Sequence, residues 1–206
     1  MALGQFAVVD VETSGLNESR HRLLQVAVIR IEADGTVLDE WESNVRLAWP
    51  LGRVGPTHVH GIRRRDLRGA PRLAEVVTEV TNRIDGALFV GHNARFDGEF
   101  LRRAARRSGV GASAAAGVER RLCTLRMSRR LDPERVQSHR LGDVCDRYGV
   151  PLANPHEALA DARATAAVLP HLLQAHEVTT QADLERYLAR TDADPPRRLH
   201  RLLRQT

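Results

Sequence analysis

The chain has 206 residues, a net charge of +5, 31 basic residues that are all arginine, and two cysteines. This length suits one domain with a core of its own, and Cys123 and Cys145, in no Cys-x-x-Cys pattern, argue against a zinc site and for a reduced cytosolic chain. No apolar run nears the ~18 residues of a bilayer span, and the residues before Asp10 lack the basic lead of a signal peptide, so a cytoplasmic protein without a membrane partner is expected. Arginine presents a planar fork that suits phosphate oxygens, which is compatible with a polyanionic partner; a GC-rich coding sequence would also leave lysine out. Arg63, Arg64 and Arg65 could touch a nucleic-acid strand, whereas Arg102, Arg103, Arg106 and Arg107 share a helical face that reads as solvated surface.

In chain order, Gln5 to Val11 alternates and is Val-rich, as a strand would be, with Asp10 and Glu12 two apart on one face of its end. Leu23 to Ile31 and Thr36 to Val45 are further strand-like runs. The Asp34-Gly35 pair between them supplies the backbone angles of a tight hairpin, so the first three strands are expected to form an antiparallel meander. Pro71 opens a helix to about Arg83, its apolar residues near a helical period. Ala87 to Val90 reads as a short buried strand, and Gly91-His92-Asn93 as a turn into a helix whose inner face carries Phe96, Phe100, Leu101, Ala104 and Ala105. Asp97 falls in its first turn.

The Gly- and Ala-rich stretch from Ser108 to Gly117 reads as a mobile connection. Leu122 to Leu125 is expected as the last strand, Leu141 to Tyr148 as a short helix, and Glu157 to about Gln174 as a long one with Pro170 kinking its final turns. Five strands with helices between them predict an α/β fold, a mixed sheet with helices on both faces. Residues 1–177 form the expected main domain; 178–206 read as an attached helix and a basic tail carrying Arg197, Arg198, Arg201 and Arg204, a candidate contact to nucleic acid or a polymerase.

Three separated segments carry the chemistry: VVDVETSGL, GHNARFDGEFL and HEALADARATAAVL. They contribute Asp10, Glu12, Asp97, His156 and Asp161. Carboxylates are the ligands hard divalent cations require, and two such cations about 4 Å apart can clamp both oxygens exchanged at a phosphodiester. Each residue alone has an ordinary explanation, Asp10 as a turn cap, Asp97 as a complement to a helix dipole, His156 as a surface residue. Their conjunction does not.

These segments resemble the three motifs of the DEDDh (DnaQ-like) 3′–5′ exonucleases, a family that includes the proofreading subunit of bacterial replicative polymerases. The resemblance runs from about Gln5 to Ala175 and implies an RNase H-like sheet. It implies that Asp10, Glu12, Asp161 and Asp97 hold two Mg²⁺ or Mn²⁺ ions and that His156 is the base, the matched group able to take a proton near neutral pH. It further implies that Thr13 and Leu16 contact the terminal nucleotide, that His60 lies beside its base, and that Asn93 orients the substrate. Glu157 and Cys123 depart from residues common in the family, without removing a ligand.

The expected activity is therefore release of nucleoside 5′-monophosphates from the 3′ end of single-stranded or frayed DNA, in proofreading or repair, with a DNA polymerase subunit as a candidate partner. The alternatives are a 3′–5′ exoribonuclease of the same family, for which no residue is decisive, and a non-catalytic polymerase-docking or nucleic-acid-binding module.

Overall fold

A computed structural model describes residues 2–47, 52–110 and 117–192. Five strands form one sheet: β1 (Phe6–Thr13), β2 (Leu23–Ile31), β3 (Val37–Asn44), β4 (Leu88–Gly91) and β5 (Arg121–Cys123), in the order β3-β2-β1-β4-β5. The first three make the expected meander, with Val9 opposite Val28 and Ala27 opposite Glu42. Its hairpin turns on Asp34-Gly35: Gly35 has φ +93°, and Asp34 Oδ1 accepts the Thr36 N–H at 2.9 Å. β4 and β5 add in parallel, Val8 pairing with Val90 and Gly91 with Cys123.

The outer strand β3 is exposed or half-buried throughout and carries Asp39, Glu40 and Glu42, charges that discourage pairing with another chain. β1, in the middle, is nearly all buried, because both faces of the sheet are covered.

The helices are α1 (Thr57–His60), α2 (Leu73–Ile84), α3 (Ala94–Ser108), α4 (Thr124–Arg130), α5 (Leu141–Tyr148), α6 (Ala158–Ala175) and α7 (Gln181–Asp192), with a 3₁₀ turn at Arg64–Leu67. One face of the sheet, through Ala7, Val9, Val11, Val26 and Val28, packs on Val76, Val80, Phe100 and Leu101 of α2 and α3. The other, through Phe6, Val8, Ala27 and Ile29, packs on Ala162, Ala166, Val168 and Leu169 of α6. Each fully buried Val, Leu, Ile or Phe side chain among these contributes about 1.5–3 kcal/mol. The alternation of β1 thus assigns Val8 and its successors at every second position, Asp10 and Glu12, to the face under α6.

Leu122 and Cys123 are in a strand as expected, but Thr124 and Leu125 are not. Residues 124–130 turn into α4, whose buried side chains are Thr124, Met127 and Ser128. The basic-rich wording TLRMSRR hid that short helix, since only one side of it is apolar. Helix α6 continues through Pro170 to Ala175, and α7 buries Leu184, Tyr187 and Leu188 in the same core as α6. Among the described residues no helix is long and apolar enough to cross a membrane. The tail arginines 197, 198, 201 and 204, and most of the Gly- and Ala-rich connection, lie outside the described residues.

Candidate active site

Asp10 and Glu12 stand at the carboxyl end of β1, and α6 brings Asp161 down on them. What docks α6 there is a pair of side chains from the sheet. Gln25 Oε1 accepts the Ala158 N–H and Glu42 Oε1 accepts the Leu159 N–H, each at 3.2 Å, satisfying donors that the first turn of a helix otherwise leaves unpaired. Arg163 pairs with Glu40 on the same edge of the sheet. One turn into α6, Asp161 is held over Glu12.

Just before α6, His156 adopts a left-handed backbone, φ +70°, a conformation uncommon for a residue with a side chain and found disproportionately at functional sites. Its main-chain N–H donates to Asp161 Oδ2 at 3.1 Å. Glu12, His156 and Asp161 each offer a ligand atom within 4.8 Å of the others.

Asp97 reaches the group from the opposite side of the sheet. It is buried in the first turn of α3, and its Oδ2 lies 3.0 Å from where a side chain on Gly91 would begin. Gly91 ends β4, and its missing Cβ lets the carboxylate pass across the strand end. β4 stays paired with β1 as far as Val8 and Val90; beyond that point the β1 main chain is open on this side, and the Val11 N–H bonds the Asp97 carboxylate.

Burial and mutual repulsion shape the electrostatics. Asp10 is pushed well above the ordinary carboxylate range, first by burial and then by Asp97, Asp161 and Glu12. Burial, with Asp161 and Asp97, lifts Glu12 to about 8. Burial lifts Asp97 to about 7, against its own and the Val11 amides, and raises Asp161 against the His156 N–H. Like charges converging in a desolvated pocket behave in this way when nothing positive sits between them. Asp161 Oδ1 is buried with no hydrogen-bond partner, an arrangement that costs free energy unless a cation supplies the missing contact. The donor set, four carboxylates and an imidazole, fits hard divalent ions.

The other expected residues are placed differently from one another. Leu16 is 85% exposed at the tip of the β1–β2 loop. Thr13 is mostly buried, its hydroxyl donating to Gly15 O at 2.9 Å. Asn93 is exposed, with φ +94°, immediately before α3. His60 is turned into its own loop. It is 6% exposed, its Nε2 is 3.0 Å from Val54 O, and its Nδ1 accepts the Ile62 N–H at 3.1 Å. Both ring nitrogens are spent on its own loop, which leaves neither for a nucleotide in this arrangement.

Sequence reasoning also passed over residues that position the site. Arg107, assigned to solvated surface, reaches from α3 to the carbonyls of Glu18, Ser19 and His21, at 3.1, 2.7 and 2.8 Å. It ties the loop bearing Leu16 to the helix bearing Asp97. Gln25 and Glu42 carry no motif. Their only sequence signal is a polar residue at an inward-facing strand position.

A sequence model of the RNase_T family, described as exonuclease, matches residues 7–169. DNA polymerase III PolC-type from Staphylococcus haemolyticus is 31% identical over 193 residues, which is 91% of this chain and 13% of that protein. The Staphylococcus saprophyticus counterpart is 32% identical over the same length and share. Among solved structures, E. coli exonuclease I in complex with a dT13 oligonucleotide superposes with a TM-score of 0.73 at 24% identity, over 90% of this chain and 43% of that one. A zinc-bound E. coli exonuclease I complex with single-stranded DNA gives 0.75 at 24% identity, over 91% and 43%.

Proposed function

Because the chain belongs to the RNase_T exonuclease family, we propose that it removes nucleoside 5′-monophosphates from the 3′ end of single-stranded DNA, using two Mg²⁺ or Mn²⁺ ions. The observation that carries this reading is the convergence of Asp10, Glu12, Asp97 and Asp161 from two sides of the sheet into one self-repelling cluster beside His156. Asp10, Glu12 and Asp161 would share one ion and Asp97 the other. When bound, the ions would stabilise charge on both the attacking and the leaving oxygen of an in-line displacement.

The chain's own groups supply the rest. His156, at the solvent edge of the cluster, accepts the proton of the attacking water. Its main-chain bond to Asp161 sets where the imidazole stands relative to the carboxylates. Leu16, projecting from its loop, meets the terminal base and separates it from its neighbour. A strand end must be free to reach that loop, and opening a paired end costs a few kcal/mol, which favours single or frayed strands. Relatives that are DNA polymerases by name support a place beside a replicative polymerase, in the cytoplasm.

A 5′-labelled oligonucleotide incubated with Mg²⁺ or Mn²⁺ tests this directly. Expected is a ladder shortening from the 3′ end one nucleotide at a time, stopped by chelator and by Asp10→Ala. Intact substrate with metal present, or shortening by Asp10→Ala at the wild-type rate, would overturn the reading. An RNA oligomer of the same sequence, run in parallel, is expected to be cut more slowly.

A further inference from the structure

On the far side of Asn93 from the Leu16 loop lies a cleft of about 550 Å³ between the β4–α3 turn and the segment joining α4 to α5, and Arg129, Arg135, Arg140, His92, Asn93 and His139 are among the residues lining it. Among the described residues no carboxylate lines it. The cleft on the near side of Asn93 is mixed in charge, since Glu18 and Glu99 line it together with Arg95 and Arg102. Asn93 is the ridge between the two, four residues before Asp97.

Among the described residues none of the three cleft arginines is paired with a carboxylate. Elsewhere arginines are engaged: Arg83 with Asp39, Arg102 with Glu99, Arg163 with Glu40, Arg186 with Asp183. Three guanidinium groups gathered around one open cleft repel one another, and the carboxylates of Asp132 and Asp143 behind its wall are engaged by Val136, Gln137, His139 and Ser138 rather than by these arginines.

The segment that presents them is built rather than loose. Asp132 accepts the N–H groups of Val136 and Gln137 at 3.2 and 2.8 Å. His139 is buried, its Nδ1 2.9 Å from Ser128 Oγ and its Nε2 3.2 Å from Asp132 Oδ2. Arg147 holds Ser138 O at 2.8 Å. His92 Nε2 lies 3.0 Å from His139 O, while its Nδ1 faces the Thr124 hydroxyl at 2.9 Å. The contact to His139 O joins the basic segment to the turn preceding Asp97. Within it, Arg135 has φ +56°, a left-handed position where Gly or Asn would sit more easily. A long cationic side chain stands where the backbone favours a small one.

We infer that this cleft binds the phosphodiester backbone of the substrate strand on the 5′ side of the bond being cut, with Arg129, Arg135 and Arg140 as the phosphate contacts. Arginine forks match phosphate oxygens bidentately, and a cleft adjoining the catalytic turn is where the strand behind a seated 3′ end must run. Its position relative to the acidic cluster gives the substrate a polarity: terminal nucleotide on the Leu16 side of Asn93, following phosphates on the arginine side. This rests on the exonuclease reading above.

The test compares wild type, an Arg129→Ala/Arg135→Ala/Arg140→Ala chain and the single variant Arg135→Gly, which removes one cation while suiting the left-handed backbone and so guards against misfolding. Two substrates are used, a 12-nucleotide single strand and the p-nitrophenyl ester of thymidine 5′-monophosphate, which has no further phosphates. For the triple variant the 12-mer KM is expected to rise at least about tenfold, with hydrolysis of the ester within about twofold of wild type. Each lost phosphate contact removes roughly 0.7 from the slope of log K against log salt for single strands. Binding of the 12-mer in an Asp10→Asn background should therefore flatten by about 2 in the triple variant and by about 0.7 for Arg135→Gly.

Unchanged 12-mer KM and salt slope would overturn the inference, as would equal losses on both substrates. Inhibition of ester hydrolysis by millimolar inorganic phosphate that disappears in the triple variant would assign the cleft to free phosphate instead and also overturn it. If wild type hydrolyses neither substrate, the reading of the carboxylate cluster fails, while 12-mer binding by the Asp10→Asn chain still decides the cleft.

Discussion

The main-chain N–H of His156 donates to Oδ2 of Asp161 at 3.1 Å, with His156 in a left-handed backbone, φ +70°. The exposed imidazole is thus located by a strained residue rather than by packing, and activity and stability are set against each other at this position. Asn tolerates the left-handed region better than His. His156→Asn is expected to leave thermal stability unchanged or raise it by up to about 1 kcal/mol, while lowering kcat about 10²–10⁴-fold, the contribution of a positioned base. Thermal melts beside steady-state rates check this. Destabilisation with rates intact would make His156 a structural residue.

The acidic cluster predicts how the metal-free chain responds to pH. Folding raises Glu12 from 4.5 to about 8 and Asp97 from 3.8 to about 7. Between those ordinary and raised values the folded chain holds more protons than the unfolded one, so stability falls as pH rises. His92 acts oppositely: burial lowers it from 6.5 to about 4, so its contribution is lost as pH falls through that range. The chelated protein should therefore melt highest in the mildly acidic range and lose stability steadily toward pH 8. Mg²⁺ or Mn²⁺ should raise Tm most at the alkaline end. A chelated Tm that climbs from pH 6 to 8 would contradict the charge assignment.

The meander, the two-face burial and the shared face of Asp10 and Glu12 were legible because each depends on local periodicity: Asp10 and Glu12 share a face with Val8, and Val8 faces α6; the grouping of these two with Asp97 and Asp161 was implied by the motif resemblance alone. What was not legible depends on contacts between distant segments. Helix α4 follows β5 without a break, and Thr124 reads as a strand residue until its hydroxyl is seen beside His92. His60 was expected beside the terminal base by resemblance alone, and nothing in its local sequence shows that the Val54 carbonyl six residues earlier engages its ring. Arg107 belonged to a stripe of arginines on one helical face, and nothing within α3 marks it as the one that bridges to residues 18–21.

Gly91 is where the two sides of the sheet communicate. A Cβ there would meet Asp97 Oδ2 at 3.0 Å, the Ala94 Cα at 3.1 Å and the Val9 carbonyl at 3.2 Å. Two of these neighbours are main chain and cannot swing aside. Gly91→Ala should cost about 1–3 kcal/mol of stability from overpacking and, by displacing the Asp97 carboxylate, lower Mn²⁺ affinity about tenfold or more. A Mn²⁺ titration of activity, with melts on the chelated chain, separates the two effects. Wild-type metal affinity would show that Asp97 does not need the gap.

Arg107 joins α3 to the Leu16 loop by three bonds from one guanidinium to carbonyl oxygens. A planar fork can serve several acceptors in fixed geometry, whereas a lysine ammonium is a single point charge on a flexible stem. Arg107→Lys should therefore behave much like Arg107→Ala. Both should raise KM for oligonucleotides about 3- to 10-fold by loosening the loop that presents Leu16, with kcat near wild type because Asp97 stays in the first turn of the same helix. Leu16→Ala should raise KM similarly with no change in Tm, since that side chain is 85% exposed and packs in no core. Combining Arg107→Ala with Leu16→Ala should give less than the product of the single effects, because a loop that has lost its apolar tip has little left to misplace. Independent, multiplying effects would show that Arg107 acts on the substrate by another route.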